Sequence, residues 1–256
     1  MEVAAISNND DRTHYYPERR YQPMNRGAIA HFADASGEID DSGFPKPHYE
    51  DGEKLLSSLE VRNPTVLTFD AYTDGESIRW NRGRAAKEHV EDAKSTEIHR
   101  DGRIDVGTDG TRVRAEVTDV LHVQDEFIVT QNTECDFAHS LVEDATGGEV
   151  VDTRLDLRGF VNDYPEVKYS LGGFYDRDAA ADKEVSIGHL NKDEHARENI
   201  DSAKINRLGI ENFSYNGRSL DFLITESGYV DIYDSNVDTT EFVQFLHDIV
   251  MPHVSN

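Results

Sequence analysis

From residue 65 onward the chain alternates apolar and polar residues in short runs separated by glycine-containing breaks, the pattern of half-buried strands. TVLTFDAYT (65–73) and SIRW (77–80) open the series, and RGRAAKEHVEDAK (82–94), rich in Ala, Glu and Lys, predicts a short helix. The stretch 95–132 then alternates almost throughout. It is cut by Asp101-Gly102 and Asp109-Gly110, both good hairpin dipeptides, so it reads as an antiparallel meander. EVVDTRLDLRGF, EVKYSLGGFYD and EVSIGHL predict three more strands.

The C-terminal quarter is the most regular. Asn191 with Glu194 three residues on is a helix-starting pair, and residues 205–234 give strands separated by Asn216-Gly217 and Ser227-Gly228. Asp238 and Glu241 repeat the capping arrangement, and Phe242, Phe245, Leu246, Ile249 and Val250 follow at helical spacing. That stripe must lie on a sheet, which predicts three antiparallel strands with a helix across one face.

Residues 1–64 look different, with five of the seven prolines. They predict an extended arm, broken only by a short helix at DGEKLLSSLEV (51–61). The expected class is therefore α+β with a predominantly antiparallel sheet, a C-terminal hairpin under a covering helix, and an extended N-terminal arm. Its divisions are 1–64, a β-rich 65–190 and an α+β layer 191–256, the last two forming one or two domains.

Composition changes the picture of the surface. There are 51 acidic and 26 basic residues, a net charge of −25, and the acids are spread over the whole chain. Arg outnumbers Lys by 18 to 8, and Asp outnumbers Glu by 29 to 22. An even, Asp-rich, Lys-poor acidity is expected of a cytoplasmic protein from an extreme halophile, archaeal in kind. Such like charge loosens a fold in dilute buffer but is screened over roughly 3 Å at molar salt. The 11 Phe and 11 Tyr argue against wholesale disorder. One cysteine, Cys135, rules out an intrachain disulfide scaffold, and no apolar run approaches the roughly 20 residues of a membrane helix. The N-terminus lacks the layout of a secretory signal, so no membrane partner is expected.

Candidate chemistry is sparse. Asp156 followed by Glu166-Val-Lys168 matches the spelling of a metal-dependent nuclease: two carboxylates on adjacent strands would hold Mg²⁺, and Lys168 would orient the attacking water or stabilise charge. With 22 Glu and 8 Lys in 256 residues, shuffling alone yields roughly 0.7 such Glu-x-Lys triplets, so the motif has no weight without its context. Asp234, Asn236 and Asp238 begin like a calcium loop, but Thr239 and Phe245 stand where glycine and glutamate are required, and a turn ending in an N-cap fits better. His189, Glu194, His195 and Glu198 lack a second ligand motif, and Cys135 with His139 reads as a buried thiol beside a histidine. Dinucleotide, phosphate-loop and serine-elbow signatures do not occur.

Positive charge against this background is the remaining signal. Arg12, Arg19, Arg20 and Arg26 are interleaved with Tyr15, Tyr16 and Tyr21, while Arg79, Arg82, Arg84 and Lys87 surround the single tryptophan, Trp80. Arg with aromatic residues is what binding surfaces favour, so Arg19, Arg20, Tyr21, Arg79, Trp80, Arg82 and Arg84 are the candidate partner-binding residues. The alternative is that the arginines pair with the protein's own carboxylates and Trp80 fills the core. The function expected is a non-catalytic binding or assembly module of a halophile that docks on a protein or nucleic-acid partner, with no cofactor. A Mg²⁺-dependent nuclease and a structural subunit of a larger particle are the alternatives, and a homo-oligomer or larger assembly is an open partner state.

Overall fold

The computed structural model describes residues 23–39, 43–62, 65–68, 77–100, 103–132, 135–175, 183–194, 200 and 203–255. Thirteen strands join in one antiparallel sheet: β1 (Arg26–Phe32), β2 (Gly43–Glu50), β3 (Glu53–Val61), β4 (Thr65–Thr68), β5 (Ser77–Ile98), β6 (Ile104–Val123), β7 (Phe127–Thr130), β8 (Val150–Asp152), β9 (Lys168–Tyr175), β10 (Lys183–Ile187), β11 (Lys204–Tyr215), β12 (Arg218–Thr225) and β13 (Tyr229–Ile232). Their order across the sheet is β10-β9-β11-β12-β13-β1-β7-β6-β5-β3-β2, with β4 on β5 and β8 on β1. Three α-helices among the described residues cover it: α1 (Asp136–Thr146), α2 (Leu157–Asp163) and α3 (Thr239–Phe245), which runs on through a wider π turn, Leu246–Val250. The class is α+β, mainly antiparallel sheet, as the sequence pattern predicts.

Alternation along the central strands gives the sheet a core on each face. One face, here the first, carries Ile29, Trp80, Leu121, Phe127 and Val129, which pack with the C-terminal strands and α3. The second carries Ala30, Phe32, Leu59, Ala85, Val120 and Ile128 and packs beneath Ala138, Leu141 and Val142 of α1. In the first core Phe160, Phe213, Phe222 and Phe245 pack edge to face, with the Phe222 and Phe245 centroids 4.9 Å apart.

The C-terminal layer forms as its pattern requires. Asn216 and Gly217 take φ of 48° and 75°, the left-handed pair of a tight hairpin, between β11 and β12. Asp238 accepts from the Glu241 amide at 2.9 Å while Glu241 accepts from the Asp238 amide at 3.1 Å, closing both halves of the capping box. Phe242, Phe245, Leu246 and Val250 are buried on the sheet.

Several local readings differ from the structure, three of them because distant strands pair. Within the expected arm, residues 26–61 carry β1, β2 and β3, and β1 lies in the middle of the sheet between β13 and β7. Pro45 and Pro47 are accommodated because β2 is the outermost strand, where a missing N–H need not break a ladder. The expected helix at 51–61 is a strand: Leu55, Ser57, Leu59 and Val61 are buried at period two, and burial outweighs the helix propensity of Leu, Lys and Glu. RGRAAKEHVEDAK likewise lies inside β5, its Ala85 fully buried and Gly83 so close to β3 that a Cβ there would stand 2.3 Å from the Glu60 carbonyl. EVVDTRLDLRGF is a short strand followed by α2 rather than one strand. Where a helix is expected from Asn191, a 3₁₀ turn at Leu190–Lys192 is followed by helical backbone at Glu194 and again at Ile200; residues 195–199, with His195 and Glu198, lie outside the described residues.

Candidate functional site

β5 and β6 are far longer than their neighbours. β3 covers β5 only at residues 83–87 and β7 covers β6 only at 120–123, so beyond these points the two strands pair with each other as a ribbon. Val117 stands opposite Ala86, Ala115 opposite Glu88, Val113 opposite Val90 and Thr111 opposite Asp92. Residues 109 and 110 then face the single residue 93, with Gly110 at φ 80°, and pairing resumes with Thr108 opposite Lys94 and Val106 opposite Thr96.

This bulge keeps one face of β6 aliphatic. An uninterrupted strand would place Ile104 and Val106 on the face opposite to Val113 and Val117, because their numbers differ in parity. The extra residue restores the phase, so Ile104, Val106, Thr108, Thr111, Val113, Ala115 and Val117 form one uncharged row continuous with the first face of the sheet. The row is open to solvent: Ile104, Val106, Val113 and Val117 are 60, 70, 52 and 49% exposed, and Leu56 on neighbouring β3 is 48% exposed. The opposite face is charged and internally paired. Arg112 reaches Glu91 at 2.6 Å, Arg114 reaches it at 3.6 Å, and hydrogen bonding from Arg112 holds the Glu91 carboxyl below its usual range.

The arginine and tryptophan segment lies at the root of this ribbon. Trp80 is 7% exposed and belongs to the first core. Arg82 and Arg84 converge on one carboxylate, Asp119, at 3.0 and 2.9 Å, and Arg82 also donates to the Thr239 hydroxyl at 3.3 Å. Arg79 is exposed and pairs with Glu38 at 3.2 Å. Trp80, Arg82 and Arg84 thus tie β5 to β6 and α3 inside the fold, and Arg19, Arg20 and Tyr21 lie outside the described residues. Replacing Asp119 by Ala removes the shared partner of two half-buried guanidiniums and is expected to cost about 2 kcal/mol. Urea unfolding of the variant measures this, and an unchanged midpoint would deny the linkage.

Asp156, Glu166 and Lys168 do not lie on paired strands as the nuclease geometry supposes. Asp156 caps α2, its carboxylate accepting from the Gly159 amide at 2.9 Å. Glu166 sits in the turn before β9, and Lys168 begins that strand. Asp234 and Asp238 form the expected turn and cap: Asp234 accepts from the Asn236 amide at 2.9 Å and from Arg218 at 2.6 Å. Among the described residues no three His, Cys, Asp or Glu side chains gather as a metal-holding group, and no helix is long and apolar enough to cross a membrane.

A cleft of about 340 Å³ opens where the partner of β1 changes from β13 to β8, and His139, Asp136, Asp152, Arg154, Ser227 and Tyr229 line it. Burial pushes the His139 imidazole down against the pull of Asp152, 3.8 Å away. Ser227 turns to the Thr225 hydroxyl at 3.1 Å, and Arg154 approaches Glu226 at 3.6 Å, so these groups are committed to the cleft's own walls. Cys135 is buried at the start of α1, and burial raises its thiol above the ordinary range.

No family model matches the chain, and no curated protein or solved structure is similar to it.

Sequence reasoning passed over the aliphatic row because it read Asp109-Gly110 as a turn. The signal was present: apolar residues at 104 and 106, then at 113, 115 and 117, share period two on either side of a phase shift at an Asp-Gly pair.

Proposed function

We propose that the protein is a non-catalytic binding or assembly module that docks on a protein partner through the aliphatic face of the β5–β6 ribbon. The exposed, uncharged row on β6 carries this reading. A soluble chain so rich in carboxylates has little reason to leave four large aliphatic side chains about half exposed in one line unless they are covered in an assembly. Protein suits this surface better than nucleic acid. Of the ribbon's cations, Arg112 and Arg114 are on the opposite face and engaged with Glu91, and Lys94 on the aliphatic face is offset by Asp92 beside it; phosphate contacts also weaken steeply with salt, whereas apolar burial does not. The evenly acidic composition supports the cytoplasm of a halophile as the setting, where charge repulsion is screened.

The test is retention of bound macromolecules at molar salt by the native chain and by Val106→Asp/Val113→Asp, with circular dichroism confirming equal folding. Loss of a protein partner on substitution is expected, since both positions are exposed and each buried aliphatic side chain contributes about 1.5–3 kcal/mol. Capture that is unaffected by the substitutions, or that nuclease treatment abolishes, would overturn the reading.

A further inference from the structure

We infer that the surface covering the ribbon is the same ribbon of a second copy of this chain, the two related by a two-fold axis through the bulge at Ala93 and Gly110. The inference rests on the reading of the ribbon as a docking face and names its occupant. Its basis is that the face is self-complementary about that point. Outward from the bulge, β6 presents Thr108, Val106 and Ile104 in one direction and Thr111, Val113 and Ala115 in the other. On β5 the flanking residues of the same face are Asp92 and Val90 on one side and Lys94 and Thr96 on the other, Asp92 and Lys94 both exposed, while Glu88 further out on that face accepts from the Leu56 amide of β3 at 2.7 Å.

An axis lying between the two faces, perpendicular to the strands, turns each β6 over the other in the opposite direction. Thr108 of one copy then meets Thr111 of the other, Val106 meets Val113, and Ile104 meets Ala115. Asp92 meets Lys94, and symmetry repeats the opposite-charge pair. An isologous interface needs this kind of self-matching, and displacement of the axis by one residue brings Asp92 onto Asp92 or Lys94 onto Lys94. The register is therefore set by charge and the adhesion by aliphatic burial.

The size of the face is consistent with a reversible dimer. At about 3.3 Å per residue the ribbon beyond β3 is about 35 Å long, and with its side chains about 15 Å wide, so two copies would bury on the order of 1,000 Å², the lower limit for a specific interface. Each copy carries a net charge of −25, so association opposes a large like-charge repulsion in dilute buffer and strengthens as salt screens it.

Sedimentation equilibrium of the full chain across protein concentration, in molar potassium chloride and in dilute buffer, tests the inference. A monomer–dimer equilibrium that tightens with salt is expected. Asp92→Lys or Lys94→Asp alone should weaken it by about tenfold, and the double exchange Asp92→Lys/Lys94→Asp should restore it, because the exchanged pair is again complementary across the axis. Val113→Asp should abolish it. A chain monomeric at every concentration and salt overturns the second copy as occupant. If that chain still loses a different protein partner on Val106→Asp/Val113→Asp, the docking reading stands without it. A dimer indifferent to Val113→Asp overturns the inference, and a dimer lost on Val113→Asp but not restored by the double exchange overturns the register.

Discussion

Replacement of Phe222 by Ala is expected to remove about 3–5 kcal/mol of stability, the largest effect of any single change considered, since truncation of a buried phenylalanine loses its transfer energy and leaves a cavity. Phe222 is fully buried on β12 and meets three other rings: Phe245 at 4.9 Å, Phe213 at 5.4 Å and Phe160 at 6.3 Å. Those rings come from α3, β11 and α2, so the residue joins both helices of the first core to the sheet. Collapse of these elements into the space is opposed because each ring is itself held by the others. A domain stable by about 5–15 kcal/mol would retain only a small margin, and in dilute buffer the repulsion of a −25 chain would exhaust it. Guanidinium unfolding with molar salt in the buffer is the measurement; a loss below about 1 kcal/mol would mean that the aromatic cluster is not the keystone of this layer.

Acidification from about pH 6.5 to pH 4 is expected to cost about 3 kcal/mol through His122 alone. Its imidazole is 2% exposed on the second face of β6, with Ser36 and Asn81 each 3.5 Å from a ring nitrogen and the Phe32 ring packed edge to face against it, the centroids 5.6 Å apart. Burial pushes it down to about 4 from an ordinary 6.5, and Asp125 opposes this only in part. The unfolded chain therefore takes up the proton first as pH falls. Stability is complete above about 6.5, declines between 6.5 and 4, and receives no further penalty from this group below 4. His139 and His253, both lowered by burial, act in the same direction. Urea midpoints recorded against pH for the native chain and for His122→Gln separate this group from the rest: the variant should lose much of the slope above pH 5, where most carboxylates are still ionised. Equal slopes in the two proteins would exclude His122 as the source.

The parts of the fold legible in the sequence were those fixed by neighbouring residues. Asn216-Gly217 favours left-handed backbone, Asp238 and Glu241 satisfy each other's amides, and Phe242, Phe245 and Leu246 share a face by helical period; each works over fewer than ten residues, and here distant pairing agrees with it. Misreadings occurred where local preference and distant pairing disagree. KLLSSLEV and RAAKEHVEDAK are good helical compositions that become strands because β3, β5 and β6 bury Leu59, Ala85 and Val120 against α1, and no window of sequence contains all of these partners. The nuclease spelling illustrates the converse: Asp156 and Glu166 are close in sequence, yet the intervening α2 turns the first into a cap and leaves the second in a turn.

The sequence by itself determined the class of fold, the hairpin and capped helix of the C-terminal layer, and a net charge of −25 spread along the whole chain. These follow from residue types and short periods, which act without reference to the rest of the chain. Only the tertiary structure decided that Arg82 and Arg84 share Asp119 inside the molecule, and that a two-for-one bulge brings Ile104 and Val106 into line with Val113 and Val117. Both depend on which residue of β5 stands opposite which residue of β6. That register is set by the pairing of whole strands, and one residue of slip would have turned the aliphatic row to the other face.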